Sequence, residues 1–314
     1  MDHNISVSIL MPIYNVEQYL EKALISVFTQ TYKNIEYVFV IDGSPDNSLQ
    51  VLKDTIKKCD IESVRYTIIK HEKNEGIAKS RSDCIAKAKG DYVYFVDSDD
   101  WIENDTIEQM VTATLGGVID IVGCDFMKDY ITGNSSYHHE DYADNSKDNM
   151  LKCLNYDIAT VLWKLLIKKS LFENFAISLI NIGEDYIMSI KLYYYANTFT
   201  ALNRAFYHYV QYNQNRLSFQ SQRSIYDHIK CVNEVENFLL DEKCYNADVK
   251  HRLLLRKFNI KSNFVLNKSL MDEQAFKCTF PESKGMWREM NYSRKECVKF
   301  WFAEHGLFKL LHLI

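Results

Sequence analysis

Over about the first 125 residues, short, mostly apolar runs alternate with longer stretches whose apolar positions recur at helical spacing. The first run is Val7 to Ile13, and it ends at Tyr14-Asn15. Residues 17–30 follow, where Leu20, Ala23, Leu24, Val27 and Phe28 line one face of a helix. A second run over 35–41 closes in Asp42-Gly43-Ser44-Pro45-Asp46, which is turn chemistry. Asp46 is a candidate cap for a helix reaching about Cys59. A third run covers 64–69, Asn74-Glu75-Gly76 turns into a helix over 77–89, and a fourth covers 92–96. A helix over 103–115 and a fifth strand over 118–124 complete the series. Apolar strands alternating with helices predict a parallel sheet covered on both faces.

The pattern loosens afterwards. Residues 125–148 are polar and aromatic, with short hairpin pieces expected. Residues 159–167 read as a strand containing Trp163-Lys164, and Ile182-Gly183-Glu184-Asp185 opens a helix through Tyr195. Residues 199–210 read as two short strands, and from about Ser224 the chain reads as helices.

The polar clusters Tyr14-Asn15, Asp42-Gly43-Ser44 and Asp97-Ser98-Asp99-Asp100 each follow a strand. In a parallel sheet those carboxyl ends share one edge, where open α/β sheets bind ligands. Asp97, Asp99 and Asp100 would repel one another unless a cation sits among them. A hard ion such as Mg²⁺ or Mn²⁺ suits such oxygen ligands. The alternative is a solvated turn capping the next helix, and Asp100 stays open between a cap near Glu103 and a member of the acid group.

Composition narrows the class. The 314 residues are 47% hydrophobic and 25% charged, with a net charge of −5. That is globular composition without the basic patch of a nucleic-acid binder, so no nucleic-acid partner is expected. Eight cysteines without a C-x-x-C pair read as reduced thiols. Met1-Asp2-His3-Asn4 carries no signal-peptide pattern, and no apolar run is long enough to span a bilayer, so a cytoplasmic location is expected.

The motifs together resemble the family 2 glycosyltransferases. The resemblance covers about residues 5–215 and rests on Val7-Ser8-Ile9-Leu10-Met11-Pro12-Ile13-Tyr14-Asn15, Ser26 to Tyr32, and Val40 to Ser48. Asn74-Glu75-Gly76-Ile77-Ala78-Lys79-Ser80-Arg81, Gly90 to Trp101, and Gly183-Glu184-Asp185 continue it in the family's order. It implies a GT-A fold: a mostly parallel nucleotide-binding sheet flanked by helices, with a helical C-terminal extension. Residues 1–220 would be catalytic, with a nucleotide-sugar half to about 124 and an acceptor half over 125–220, and 221–314 the extension.

The resemblance also implies a reaction: an acceptor hydroxyl attacks a nucleotide sugar, with inversion, in surface polysaccharide synthesis. Asp99 is the expected ligand of Mn²⁺ or Mg²⁺, and Asp97 touches the ribose or the metal's water. Asp42 would accept a base N–H, which selects a uracil donor; the acid usual before it is Ile41 here. Pro12, Tyr14 and Arg81 join the nucleotide site, with Tyr14 on the base face and Arg81 on a base edge or phosphate. The residue after Arg81 is Ser82 where relatives have Asn. Asp185 is the expected general base and Glu184 its helper. Trp101 and Trp163 are read either as acceptor-side aromatics or as core, Lys164 as a phosphate counter-charge, and His208 as an extra ligand or a satisfied strand histidine.

The remaining expectations concern partners. The acceptor is a glycan or lipid-linked saccharide. Residues 298–314 are read as a helix on the inner membrane face or as a segment packed on the core or in a homodimer. Two rival activities stay open: a metal-dependent nucleotide-sugar phosphohydrolase, and a non-catalytic nucleotide-sugar-binding module.

Overall fold

In the computed structural model, which describes residues 5–61, 64–211 and 222–313, each apolar run expected before residue 100 is a strand. These are β1 (Val7–Ile13), β2 (Ile35–Asp42), β3 (Tyr66–His71) and β4 (Tyr92–Phe95). Then come β5 (Trp101–Ile102), β6 (Ile121–Asp129), β7 (Ser135–His138), β8 (Leu165–Lys168) and β9 (Phe199–Val210). The helices are α1 (Glu17–Phe28), α2 (Ser48–Lys58), α3 (Ile77–Lys87), α4 (Thr106–Ala113), α5 (Ser146–Leu154) and α6 (Glu184–Tyr195). Helices α7 (Gln222–Asp241), α8 (Ala247–Leu266), α9 (Glu273–Cys278) and α10 (Arg294–Glu304) complete the chain. Two units emerge: Met1–Met150 with Ile158–Arg216, and Leu151–Asp157 with Leu217–Ile314. The expected boundary near 220, the first four residues and Ile314 lie outside the described residues.

The first unit is built on one sheet in the order β3-β2-β1-β4-β8-β6-β9-β5, with β7 on β6. Strands β1 and β2 are buried along their whole length, which their apolar runs require. The first four strands are parallel, and Val7 pairs with both Ile35 and Tyr92. Strand β8 then enters antiparallel to both β4 and β6, so the sheet is mixed beyond β4. Helix α1 buries Leu20, Ala23, Leu24 and Val27, as its spacing predicts. Each of the larger ones contributes about 1.5–3 kcal/mol.

The N-cap of α2 is Asn47, and Asp46, one residue before it, joins the starts of two helices. Its carboxylate accepts from Ser48 N (3.1 Å) at the start of α2 and from Glu17 N (2.9 Å) at the start of α1. Burial pushes this carboxyl up, but hydrogen bonds from Ser44, Glu17 and Ser48 outweigh burial and hold it low.

Four expectations need correction. The strand expected over 159–167 is confined to β8, so Trp163 and Lys164 precede it. Residues 199–210 form the single strand β9, whose pairing with β6 shifts register around Asp125 instead of breaking. The helix expected from Glu103 begins at Thr106, because Trp101–Ile102 first pair with His208 and Tyr207 as β5. Asp100 is not a cap: its carboxylate accepts from Val210 N (2.7 Å) and the Tyr207 hydroxyl (2.8 Å).

The second unit is helical. Asn246 caps α8, Asp272 caps α9, and Ser293 with Glu296 forms a capping box on α10. Its core includes Leu253, Phe258, Phe264, Phe276 and Phe300, with Phe258 and Phe300 edge-to-face at 5.1 Å. Within 298–313 the apolar residues divide. Phe300, Ala303, Phe308 and Leu311 are buried, while Val298, Trp301, Leu307 and Leu310 are exposed. No helix among the described residues is long and apolar enough to cross a membrane.

Candidate active site

Arg81 is the centre of the candidate site. It lies on α3 and is 3% exposed. Its Nη1 donates to Glu184 Oε1 (2.7 Å) and to Asp185, and its Nη2 donates to Asp97 Oδ1 (3.0 Å). Asp97 leaves the carboxyl end of β4, and Glu184 and Asp185 open α6. Residues 103 and 104 positions from Arg81 in sequence thus meet a third acid on one guanidinium. Two local features allow it. Gly183, at φ 93°, adopts the left-handed conformation that starts α6. Gly76, at φ 98°, holds a conformation that side chains rarely adopt, and a Cβ there would displace the Asn181 amide, 2.1 Å away. Asn181 Oδ1 accepts from Ala78 N (3.2 Å), which ties the loop before α6 to the start of α3.

One cation facing three carboxylates leaves the cluster over-acidic. Burial pushes Glu184 and Asp185 above the ordinary carboxylate range, and Arg81 only partly opposes it. For Asp185 the neighbouring acids Glu184 and Asp97 add to the rise. The Arg81 guanidinium is held charged, since its three acids outweigh its burial.

The loop after β4 is pinned from β9. Asp100 N donates to Asp97 O (3.0 Å), closing a tight turn. The Tyr207 hydroxyl accepts from Asp97 N (3.1 Å) and donates to Asp100 Oδ2. Burial raises Asp100 far above its ordinary value, and the charges of Asp99 and Asp97 raise it further. That mutual pressure is what a cation at this loop would relieve. Among the described residues, no group of three or more His, Cys, Asp or Glu side chains forms a ready-made metal centre. Asp97 and Asp99 fit a hard ion that takes two carboxylates and fills its shell with water and phosphate oxygens.

On the other side of β1, Asp42 ends β2 with its side chain buried. Oδ1 accepts from Glu75 N (2.8 Å) and Oδ2 from Gly76 N (2.9 Å). His71, its register partner on β3, bridges Asp42 Oδ1 (2.7 Å) and Asp83 Oδ2 (2.9 Å). Oδ2 keeps one acceptor position. Tyr14, just past β1, is 44% exposed. Pro12 is buried in β1 opposite Val40, two residues beyond Leu10, whose carbonyl takes the last β4-side hydrogen bond from Val96 N. The missing proline N–H therefore costs nothing at a point where β4 has already turned away.

The profile of glycosyl transferase family 2 matches residues 8–175. The chain belongs to this family. It is 32% identical over 238 residues to the putative glycosyltransferase EpsH of Bacillus subtilis (strain 168), covering 71% of this chain and 67% of EpsH. It is 34% identical over 218 residues to the glycosyltransferase GlyA of Streptococcus pneumoniae serotype 4, covering 65% of this chain but 30% of GlyA. Among solved structures, Staphylococcus aureus TarS residues 1–349 superposes with a TM-score of 0.70 at 18% identity, over 97% of this chain and 88% of that one. Family 2 membership and this likeness give the sheet and its helices the GT-A fold.

Other residues singled out from the family pattern sit elsewhere in the first unit. Trp101 stacks on His208 with centroids 3.4 Å apart, and the Lys22 amine lies 4.1 Å from its ring centroid. The partly buried indole thus already has an imidazole and an amine against it. Its Nε1 donates to Asp129 Oδ2 (2.9 Å). His208 is bound by Glu103 (2.9 Å) and Asp129 (3.2 Å), as a satisfied strand histidine would be. Trp163 is buried and stacked on Tyr207 at 4.2 Å. Lys164 is buried and paired with the equally buried Glu140.

Family motifs do not point to Tyr207 or His71. A signal for His71 exists: it ends β3 in register with Asp42, and parallel strands bring such terminal residues together. Tyr207 had none, because β5 is two residues long and its pairing with β9 leaves no periodicity to read.

Proposed function

We propose that this chain moves a sugar from a UDP-sugar to a hydroxyl of a glycan or lipid-linked saccharide, with inversion, during assembly of a surface polysaccharide. The observation that carries the reading is the convergence of Asp97, Glu184 and Asp185 on Arg81. An acid that serves the donor diphosphate and one that serves the acceptor proton stand within one guanidinium's reach. The relatives EpsH and GlyA, both glycosyltransferases by name, support transfer. TarS, a fold relative, has been crystallised with UDP-GlcNAc, which supports a uridine donor.

In this reading Asp185 takes the acceptor hydroxyl's proton as the glycosidic bond forms, and its raised proton affinity makes it a stronger base than an ordinary carboxylate. Glu184 orients the acceptor. Asp42 accepts the imide N–H of uracil on Oδ2, and the exposed Tyr14 ring covers the base. Asp99 and Asp97 would hold Mn²⁺ or Mg²⁺, which supplies positive charge to the departing diphosphate. Arg81 acts chiefly on the acids; its Nε–H, which has no partner among the described residues, is the donor left for the nucleotide. Trp163, Lys164 and His208 fall outside this reading, as buried packing and ion-pair residues. The chain works at the cytoplasmic face, with the exposed Trp301, Leu307 and Leu310 touching the membrane.

A thermal-shift screen of UDP-, GDP- and CDP-sugars, each with Mn²⁺ and with EDTA, tests the donor. Stabilisation by UDP-sugars with Mn²⁺ is the expected result, since a ligand bound to the native state raises its stability. No shift from any nucleotide sugar would overturn the reading. UDP release at equal rates with and without an acceptor would replace transfer with hydrolysis.

A further inference from the structure

The acids expected to hold the cation are carried by a four-residue turn with little support of its own. Asp97 to Asp100 is closed by one backbone hydrogen bond, from Asp100 N to Asp97 O at 3.0 Å. Arg81 on α3 holds the Asp97 carboxylate (3.0 Å), and β9 supplies the contacts that join the two ends of the turn. The Tyr207 hydroxyl sits between them, accepting from Asp97 N (3.1 Å) and donating to Asp100 Oδ2 (2.8 Å). Asp100 Oδ1 in turn accepts from Val210 N (2.7 Å). Tyr207 is fully buried, Asp100 is 1% exposed, and the Tyr207 ring is held by stacking on Trp163 at 4.2 Å.

We propose that Tyr207 and Asp100 are positioning residues for the cation: they latch the Asp97–Asp100 turn onto β9, and so set where the Asp97 and Asp99 carboxylates stand. The inference rests on the reading that those two acids hold the ion. Geometry favours a positioning role over direct ligation for Asp100, because both of its oxygens are already directed at donors on β9. Hydrogen-bonded partners behind a metal ligand typically change metal affinity 10- to 100-fold when removed. Here the partner acts on the ligand's backbone rather than on its side chain, which fixes the turn and not one rotamer.

The test is Mn²⁺ binding to the full chain, read by the electron paramagnetic resonance of free Mn²⁺ in the presence of UDP. Tyr207→Phe keeps the stacking on Trp163 and deletes only the hydroxyl. It is expected to weaken Mn²⁺ about tenfold or more, and excess Mn²⁺ should restore its turnover. Asp100→Asn keeps groups able to meet both Tyr207 and Val210, so it should hold Mn²⁺ within about threefold of wild type, whereas Asp99→Asn should lose it. Thermal melting of each variant separates a lost latch from a lost fold, and the Asp100→Asn arm stays readable if Tyr207→Phe is poorly folded. Unchanged Mn²⁺ affinity in a folded Tyr207→Phe protein would overturn the proposal. Loss of Mn²⁺ by Asp100→Asn equal to that by Asp99→Asn would also overturn it, making Asp100 a ligand. Failure of the wild-type chain to bind Mn²⁺ with UDP would instead remove the cation reading beneath it.

Discussion

Arg81 and Asp185 stand 104 positions apart in the chain, and a single guanidinium nitrogen of Arg81 serves both Asp185 and its neighbour Glu184. With Asp97 on the other nitrogen, one buried positive charge answers three carboxylates, Glu184 buried and Asp97 and Asp185 partly exposed. Such a cluster is held together by its cation and strained by its surplus of acids, and the two effects make opposite predictions for the two kinds of variant.

Removing the cation should be severe. Arg81→Gln leaves three acids facing one another, and breaking a buried pair this way costs about 3–5 kcal/mol. Burial holds Glu184 and Asp185 above their unfolded values, so the folded chain binds their protons more tightly than the unfolded chain. Stability therefore falls as pH rises through those values. The loss in Arg81→Gln should be largest near pH 8 and smallest near pH 5, measured by urea unfolding at both. Equal losses at the two pH values would show that Arg81 is not the acids' counter-charge.

Removing one acid should do the reverse for the fold and harm for the reaction. Asp185→Asn deletes a charge from the overloaded side, so its melting temperature should exceed wild type at high pH, with the gap closing as pH falls, because the folded state holds the Asp185 proton more tightly than the unfolded one. Its turnover should drop about 10²- to 10⁴-fold for want of a base, with donor affinity kept. Stabilisation with full turnover would strip Asp185 of the role.

How far these relations could be read from sequence varied with the periodicity behind them. Val7–Ile13 and Ile35–Asp42 are mostly apolar and buried along their length, so the strands themselves were legible, though not their order in the sheet. The placing of Asp42 and Asp97 after parallel strands was legible too, but the acids that meet Asp97 on Arg81 come from the start of α6 and not from a strand end. Arg81 was singled out with a nucleotide role. Its grip on Glu184 and Asp185 depends on the loop through Asn181, whose contact at Ala78 has no sequence signature. Lys164 illustrates a different blindness: its charge suggested a phosphate, but burial beside Glu140 is set by strands that pair out of chain order.

That buried pair gives a further prediction. Lys164 and Glu140 side chains are each 1% exposed, and Glu140 also accepts from Ala159 N (3.0 Å). Lys164→Met leaves the buried Glu140 carboxylate with only His138 (3.2 Å) and Ala159 N as partners among the described residues, and should cost up to about 3–5 kcal/mol. Adding Glu140→Gln should recover much of that loss, because the second change removes the stranded charge. Denaturant unfolding of both single variants and the double measures the coupling. Turnover per folded molecule should stay near wild type throughout, which a phosphate-binding lysine would not allow.

His71 supplies a pH dependence of opposite origin. Burial disfavours its charge, yet hydrogen bonds to Asp42 and Asp83 prevail and raise its pKa above the ordinary histidine value. A raised cationic group contributes stability that is complete below its unfolded value and is lost as pH rises through its folded one. Wild type should therefore melt above His71→Asn near pH 6, with the difference shrinking toward pH 8.5. A difference constant across that range would mean that the imidazole bridges Asp42 and Asp83 without its second proton.

The final test concerns the end of the chain, and the packing there decides how it must be done. Deleting everything after Ser293 would remove Phe300, Phe308 and Leu311 from the core of the second unit, so lost lipid binding could reflect lost folding. Trp301, Leu307 and Leu310 are exposed on the same segment, with Lys299 and Lys309 nearby in sequence. Changing the exposed three to Ser leaves the buried set intact. If this surface meets an anionic bilayer, the triple variant should co-sediment with acidic liposomes several-fold less than wild type, at an unchanged melting temperature. Wild-type binding should also weaken with added salt, because lysines beside an apolar face add an electrostatic share to the attraction. Equal sedimentation of the two proteins would remove the membrane contact, and a concentration-dependent change in mass between them would assign the patch to a second copy of the chain.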